Sequence, residues 1–178
     1  FEAVTVNPDH GTADAGGAAP LPVLARRSAG AGLAGLEFYV GIPGSVGGAV
    51  RMNAGGHGRE TREVLRRAWV LDLLAGDQAA RPRPVDDLDL GYRHSALTGT
   101  EVVTRAEFAG TPDRPEACEE RVAEIVRWRR EHQPGGANAG SVFRNPPGDS
   151  AGRLIDVAGL KGHRVGGAVV SAKHANFF

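Results

Sequence analysis

A chain of 178 residues that is 41% hydrophobic and 24% charged can bury one ordinary core or two small ones, which excludes a disordered polymer. Its 21 basic and 21 acidic side chains cancel, which argues against a general nucleic-acid or membrane-surface binder. One cysteine, Cys118, excludes an internal disulfide framework and any multi-cysteine metal site, and no apolar run reaches the ~20 residues that span a bilayer. No basic-then-apolar leader stands at the N-terminus, so a cytoplasmic protein is expected. The chain opens on Phe1 and closes on an apolar run, "HANFF", so a piece of a longer protein is expected.

In chain order, "VTVNP" (Val4–Pro8) reads as a short strand. Leu21, Leu24, Ala25 and Ser28 then fall on one helical face, with Gly30 and Gly32 as stops. An apolar extended run and a glycine-rich segment, "GIPGSVGGAVRMNAGG" (Gly41–Gly56), follow. "AWVLDLL" (Ala68–Leu74) and "EVVTRAEF" (Glu101–Phe108) read as strands. In the second, Val102, Thr104, Ala106 and Phe108 share one face. The proline-rich "RPRPVDD" between them reads as a loop. A helix is predicted over Pro115–His132, with a capping-box-like start at Asp113 and Glu116 and a stripe of Cys118, Val122, Ile125 and Val126. "QPGGANAG" ends it, and a shorter helix follows over Ala151–Ala158, with Leu154 and Ile155 inward and Gly159 as stop. "AVVSA" and "HANFF" are candidate strands. The sum is an α+β chain, with one unit before about residue 112 and another after it.

Several stretches bear on chemistry. "GAGLAG" at Gly30–Gly35 matches the dinucleotide fingerprint literally, but a helix precedes it where that motif needs a strand, so it is read as a helix stop. The longer glycine segment lacks the lysine of a phosphate-binding loop of the Walker type. Its small residues allow either a cradle of backbone N–H groups around an anion or a sharp corner where two backbones pass closely. Composition alone leaves both open. "GYRHS" (Gly91–Ser95) sets an aromatic beside a guanidinium suited to a carboxylate or phosphate. "NAGSVFRNP" (Asn138–Pro146) carries Ser141 in a glycine turn with no adjacent base. Lys161, His163, Lys173 and His174 sit among glycines near the C-terminus without the spacing or carboxylates of a metal site, so no metal is expected.

Taken together and in order, "GLEFYVGIPGSVGGAVRMNAGGHG", "GYRHS", "NAGSVFRNP" and "AGRLIDVAGLKGHRVGGAVVSAKHANFF" closely resemble the UDP-N-acetylenolpyruvoylglucosamine reductase (MurB) family over nearly the whole chain. The resemblance implies a cytoplasmic flavoenzyme of peptidoglycan precursor synthesis, serving cell-wall biogenesis, cell shape and cell division. It reduces the enolpyruvyl ether of a UDP-sugar to UDP-N-acetylmuramate, using NADPH through FAD. It also implies a vanillyl-alcohol-oxidase-type FAD-binding domain, of which residues 1–112 are the second part, and a substrate domain, of which residues 113–178 are a truncated part. The flavin loop is implied at Gly41, Ile42, Pro43, Gly44, Ser45, Val46, Gly47 and Gly48, with Asn53 beyond it. Arg93 and Ser141 are implied as catalytic, with Arg93 on the substrate carboxylate and Ser141 as proton donor. Tyr92, Asn145 and His174 are implied on the substrate side.

The chemistry is coherent with those residues. Hydride arriving at one carbon of the enolpyruvyl double bond leaves negative charge on the other, spreading into the carboxylate. A guanidinium there stabilises charge as it develops, and a held hydroxyl quenches it with a proton. The family's first FAD subdomain and its late glutamate have no counterpart in this chain, and the only tyrosines are Tyr39 and Tyr92. The resemblance is therefore to the branch without an inserted tyrosine loop, acting as a monomer on a small molecule and not on nucleic acid or membrane. The alternatives are another FAD-dependent oxidoreductase of the same fold, or a non-catalytic nucleotide- or flavin-binding module.

Overall fold

A computed structural model describes residues 1–76 and 79–178, in two compact units, Phe1–Val126 and Arg127–Phe178. The first unit is built on strands β1 (Val4–Asn7) and β2 (Thr12–Gly16), helix α1 (Leu21–Gly30), and strand β3 (Leu33–Ala34). Next come α2 (Val46–Met52), the short strands β4 (Gly55–Gly56) and β5 (Arg59–Glu60), and the single turn α3 (Thr61–Val64). Strands β6 (Leu65–Asp72), β7 (Arg81–Pro84), β8 (Glu101–Ala109) and β9 (Thr111–Pro112) follow, and then helix α4 (Pro115–His132), whose last residues belong to the second unit. That unit adds α5 (Ala151–Val157) and a two-residue hairpin, β10 (Arg164–Val165) and β11 (Ala168–Val169). The α+β class expected of the sequence is what the chain adopts.

Five strands form one antiparallel sheet in the order β1-β2-β8-β6-β7. Leu21, Leu24, Ala25 and Ser28 of α1 are buried, as the helical spacing requires. The core gathers Tyr39, Leu36, Leu33 and Phe108, and the rings of Tyr39 and Phe108 meet edge-on at 5.7 Å and 73°. Such a pair contributes about 0.5–1.5 kcal/mol beyond the area it buries. The Tyr39 hydroxyl donates to Thr61 Oγ1 at 3.0 Å, and burial pushes its pKa well above the ordinary phenol value.

Six sequence expectations are corrected. The run after "GAGLAG" is a buried 3-10 turn, Glu37–Gly41, rather than extended chain, because Phe38, Tyr39 and Val40 all turn into the core. "RPRP" is a strand, not a loop: β7 lies on the sheet edge, where a proline need not donate into a ladder. The alternation of β8 breaks at Thr104, an extra residue opposite Trp69 and Val70, so Val103 is buried and Val102 is exposed. Asp113 does not close a capping box with Glu116; its carboxylate accepts from Arg114 N–H and pairs with Arg121 at 2.7 Å. In the second unit Leu154 is exposed and Ala151 is the buried residue of α5, while "HANFF" forms a turn closed by Phe177 N–H on His174 O rather than a strand.

Candidate functional site

The glycine segment resolves into a loop and a capped turn of helix. Ser45 is the N-cap of α2, and its Oγ accepts the Gly48 N–H at 3.3 Å. Val46 N–H donates to Ala19 O at 2.9 Å and Gly47 N–H to Gly17 O at 2.8 Å. Three amides that an anion cradle would use are therefore already bonded inside the protein. The glycines here serve close approach. A Cβ on Gly17 would overlap Val103 O, and one on Gly47 would stand 3.1 Å from Gly17 O and 3.3 Å from Val103 O. The Thr104 bulge completes this junction, since its carbonyl accepts Gly17 N–H at 2.8 Å and its Oγ1 donates to Trp69 O at 3.1 Å.

The junction forms one wall of a groove of about 610 Å³, lined among others by Ser45, Gly47, Gly48, Arg51, Leu97 and Val102. Arg51 is held there by Ser95: Arg51 Nη1 donates to Ser95 Oγ at 3.1 Å, and that hydroxyl donates to Arg51 O at 2.7 Å. The groove thus offers backbone and apolar walls with one guanidinium, Arg51, and one carboxylate, Glu101, which is itself paired with Arg83.

Asn53 ends α2 in the left-handed region, φ +44°, and is buried. Its Nδ2 donates to Glu60 Oε2 at 2.7 Å and Gly91 O at 3.3 Å, and its Oδ1 accepts Arg62 N–H at 2.9 Å. Gly91 opens a four-residue turn closed by mutual bonds with His94 at 3.2 and 3.1 Å. Tyr92 and Arg93 form its tip, with the Arg93 guanidinium 5.8 Å from the Tyr92 ring centroid. Arg93 has φ +50°, a conformation that costs an L-residue roughly 1 kcal/mol and marks sites where geometry is held for a purpose.

In the second unit, Ser141, Asn145, His174 and Asn176 surround a cavity of about 410 Å³, together with Arg153 and Lys161. Ser150 caps α5 by accepting Arg153 N–H at 3.2 Å, and Asn145 Oδ1 accepts the N–H of Ala151 at 3.0 Å. Arg153 pairs with Asp149 and, with the Ser150 N–H, holds that carboxyl down to about 2. Asn176, only 2% exposed, reaches Ser141 Oγ at 2.8 Å. His174 Nδ1 accepts Asn176 N–H at 3.2 Å, which makes Nε2 the protonated nitrogen of the neutral ring.

Of the residues singled out in the sequence, Ser45, Gly47 and Gly48 thus line the groove, while Gly41, Ile42, Pro43, Gly44 and Val46 frame the loop and helix start beside them. Asn53 faces protein partners. Tyr92 and Arg93 share one turn, and Ser141, Asn145 and His174 share one cavity. Sequence reasoning missed Asn176, whose one signal is a polar residue inside the apolar "HANFF". It also missed the buried Glu37, which accepts Gly35 N–H at 2.7 Å and pairs with Arg121 at 2.9 Å. Among the described residues, no group of three His, Cys, Asp or Glu side chains could hold a metal ion, and no helix is long and apolar enough to cross a membrane.

An antiparallel sheet with a glycine-lined groove, followed by a small unit with a polar cavity, defines an α+β chain of two units, each with a candidate ligand cleft. Residues 2–76 match the family model of an FAD binding domain, and residues 132–178 match that of the UDP-N-acetylenolpyruvoylglucosamine reductase C-terminal domain. The chain is 50% identical over 166 residues to the UDP-N-acetylenolpyruvoylglucosamine reductase of Caulobacter vibrioides, covering 92% of this chain and 54% of that protein. It is 48% identical over 163 residues to that of Gluconobacter oxydans, covering 90% and 52%. The crystal structure of this reductase from Thermus caldophilus superposes with a TM-score of 0.83 at 43% identity, covering 92% of this chain and 60% of that one. The chain belongs to the UDP-N-acetylenolpyruvoylglucosamine reductase (MurB) family, and it spans about half the length of the curated relatives it matches.

Proposed function

We propose that this chain is part of an NADPH-dependent flavin reductase that converts the enolpyruvyl ether of UDP-N-acetylglucosamine to UDP-N-acetylmuramate in peptidoglycan precursor synthesis. The observation that carries the proposal is the match of both chain segments, at close to half identity, to relatives bearing that activity's name. In this reading residues 1–112 are the second part of the FAD-binding domain and 113–178 a truncated substrate domain. The protein works in the cytoplasm as a monomer on a small molecule, without nucleic acid or membrane.

The groove of the first unit fits FAD. Its apolar walls at Leu97 and Val102 suit a flat ring system, and Arg51 supplies a cation for a phosphate. Ser45, Gly47 and Gly48 would let the cofactor lie close against their backbone, the bonded amides of Gly47 and Gly48 leaving contact and not hydrogen bonding to it, and a side chain at Gly48 would project beside Ser45 Oγ at 3.4 Å. Asn53 would act on the flavin loop indirectly, by fixing its end. When bound, FAD supplies hydride chemistry, passing reducing equivalents from NADPH to the enolpyruvyl double bond.

The chain's own residues manage charge and proton. The guanidinium of Arg93 binds the substrate carboxylate and gains in strength as negative charge flows into it, so its effect is selective for the transition state. Ser141 donates its hydroxyl proton to the carbon opposite the one that receives hydride, so hydride and proton together saturate the double bond. Tyr92, Asn145 and His174 orient the substrate. Full-length polypeptide carrying this sequence should purify yellow and oxidise NADPH only when the enolpyruvyl sugar nucleotide is present. Oxidation driven equally by unrelated alcohols would assign it to another oxidoreductase of the same fold.

A further inference from the structure

We propose that Asn176 is the positioning residue of the proton donor: it forces the Ser141 hydroxyl to accept a hydrogen bond from the protein and so to present its own proton to the substrate. The inference rests on the reductase reading and on the geometry of the second unit alone.

The orientation of the Asn176 amide is determined by its neighbours. Phe143 N–H can only donate, and it meets Asn176 Oδ1 at 2.9 Å. The opposite side of the amide is therefore Nδ2, which has two hydrogens and no lone pair to accept with. One hydrogen goes to Phe143 O at 2.9 Å and the other to Ser141 Oγ at 2.8 Å. The backbone of Asn176 is bonded as well, its carbonyl accepting Val142 N–H at 3.0 Å and its N–H meeting His174 Nδ1 at 3.2 Å. The side chain is buried and has no freedom to turn over.

Two consequences follow for Ser141. Its oxygen faces a pure donor, so its hydroxyl hydrogen cannot point at Asn176 and is directed elsewhere around the Cβ–Oγ bond. When that proton leaves, the alkoxide left behind already has an N–H aimed at it from 2.8 Å, in place before charge develops. A serine is too weak an acid to serve without such help. Asn176 thereby does for the hydroxyl what a triad's second and third residues do elsewhere, with opposite polarity: it holds a donor ready for an alkoxide instead of an acceptor ready for a proton.

The test uses Asn176→Asp and Asn176→Ser in full-length polypeptide, with flavin reduction by NADPH and reoxidation by the enolpyruvyl substrate followed separately. Reduction rate and substrate affinity should stay native in both variants, while reoxidation falls by roughly 100-fold, the loss typical of one preorganised donor. In the Asp variant reoxidation should recover as pH is lowered, because a protonated carboxyl can again donate to Ser141 Oγ; the native and Ser proteins should show no such recovery. Native reoxidation in both variants, or equal loss in both half-reactions with weakened binding, overturns the proposal in favour of a packing role. A readout independent of turnover is the side-chain amide of Asn176 by NMR. Ser141→Ala should move one of its two proton resonances upfield and speed its exchange while the one held by Phe143 O keeps its position; no change overturns the hydrogen bond. Should native protein itself fail to be reoxidised by the enolpyruvyl substrate, the reductase reading falls and the catalytic role of Asn176 with it, whatever the NMR result.

Discussion

Asn53 ties the glycine segment to the turn that carries Arg93, its Nδ2 reaching Gly91 O at 3.3 Å while its Oδ1 holds Arg62 N–H at 2.9 Å. One buried amide thus sets the spacing between the end of α2 and the tip bearing Tyr92 and Arg93. Asn53→Ala should destabilise the fold by about 2–3 kcal/mol, since it strands buried partners and puts alanine, which tolerates the left-handed region less well than asparagine, at φ +44°. Chemical denaturation measures this, and a variant as stable as the native chain would remove Asn53 from the joint.

Arg93 should show the opposite balance of stability and function. At φ +50° a glycine or asparagine is better suited than arginine. Arg93→Gly should therefore fold at least as well, gaining up to about 1 kcal/mol, while kcat/KM for the enolpyruvyl substrate drops roughly 10- to 100-fold through loss of a charge-assisted contact. Lower stability with unchanged turnover would contradict the assignment.

Ser28 is fully buried on the inner face of α1, and its Oγ has no hydrogen-bond partner among the described residues. Replacing it with alanine removes an uncompensated hydroxyl and improves helix propensity. Ser28→Ala should raise stability by about 1 kcal/mol, a gain of roughly 2–4 °C in Tm for a chain of this size. A lower Tm would mean that the hydroxyl is satisfied in solution.

Cys118 is buried on α4, and burial pushes its thiol pKa up, against the opposing effect of the neighbouring Arg121. The raised value means that folding favours the neutral thiol. This contribution to stability is complete below the unfolded pKa of about 8.5 and is lost as pH rises through the folded value. The native chain should therefore resist thiol reagents at neutral pH and lose stability on the alkaline side, and Cys118→Ala should flatten that alkaline slope. Labelling of the folded protein as fast as of the unfolded one would contradict this.

How far the sequence could be read depended on whether one local rule acted alone. Helix α4 was legible to the residue, because Pro115 opens it, a glycine-rich loop follows it, and its apolar stripe repeats at helical spacing. The inner face of α1 was legible for the same reason. Strand β8 was only half legible. Thr104 fits a perfect alternation on paper, yet it is the bulge that redirects Val102 towards the groove, a tertiary choice fixed by Gly17 N–H. "RPRP" looked like a breaker because propensity does not know which strand lies at an edge. The motifs carrying Arg93 and Ser141 could be recognised in order, but Asn176 could not, and Asn53 was named for the flavin loop and not as the joint to the Arg93 turn. Each makes a hydrogen bond to a residue far off in sequence, Asn53 to Gly91 and Asn176 to Phe143, which no local pattern announces.

The most direct test of the account is Ser141→Ala in full-length polypeptide, with the two half-reactions observed in turn. Flavin reduction by NADPH should proceed at the native rate, and reoxidation by the enolpyruvyl sugar nucleotide should be reduced by orders of magnitude although the substrate still binds. Reoxidation at the native rate would contradict the account, because the proton would then come from a group other than Ser141.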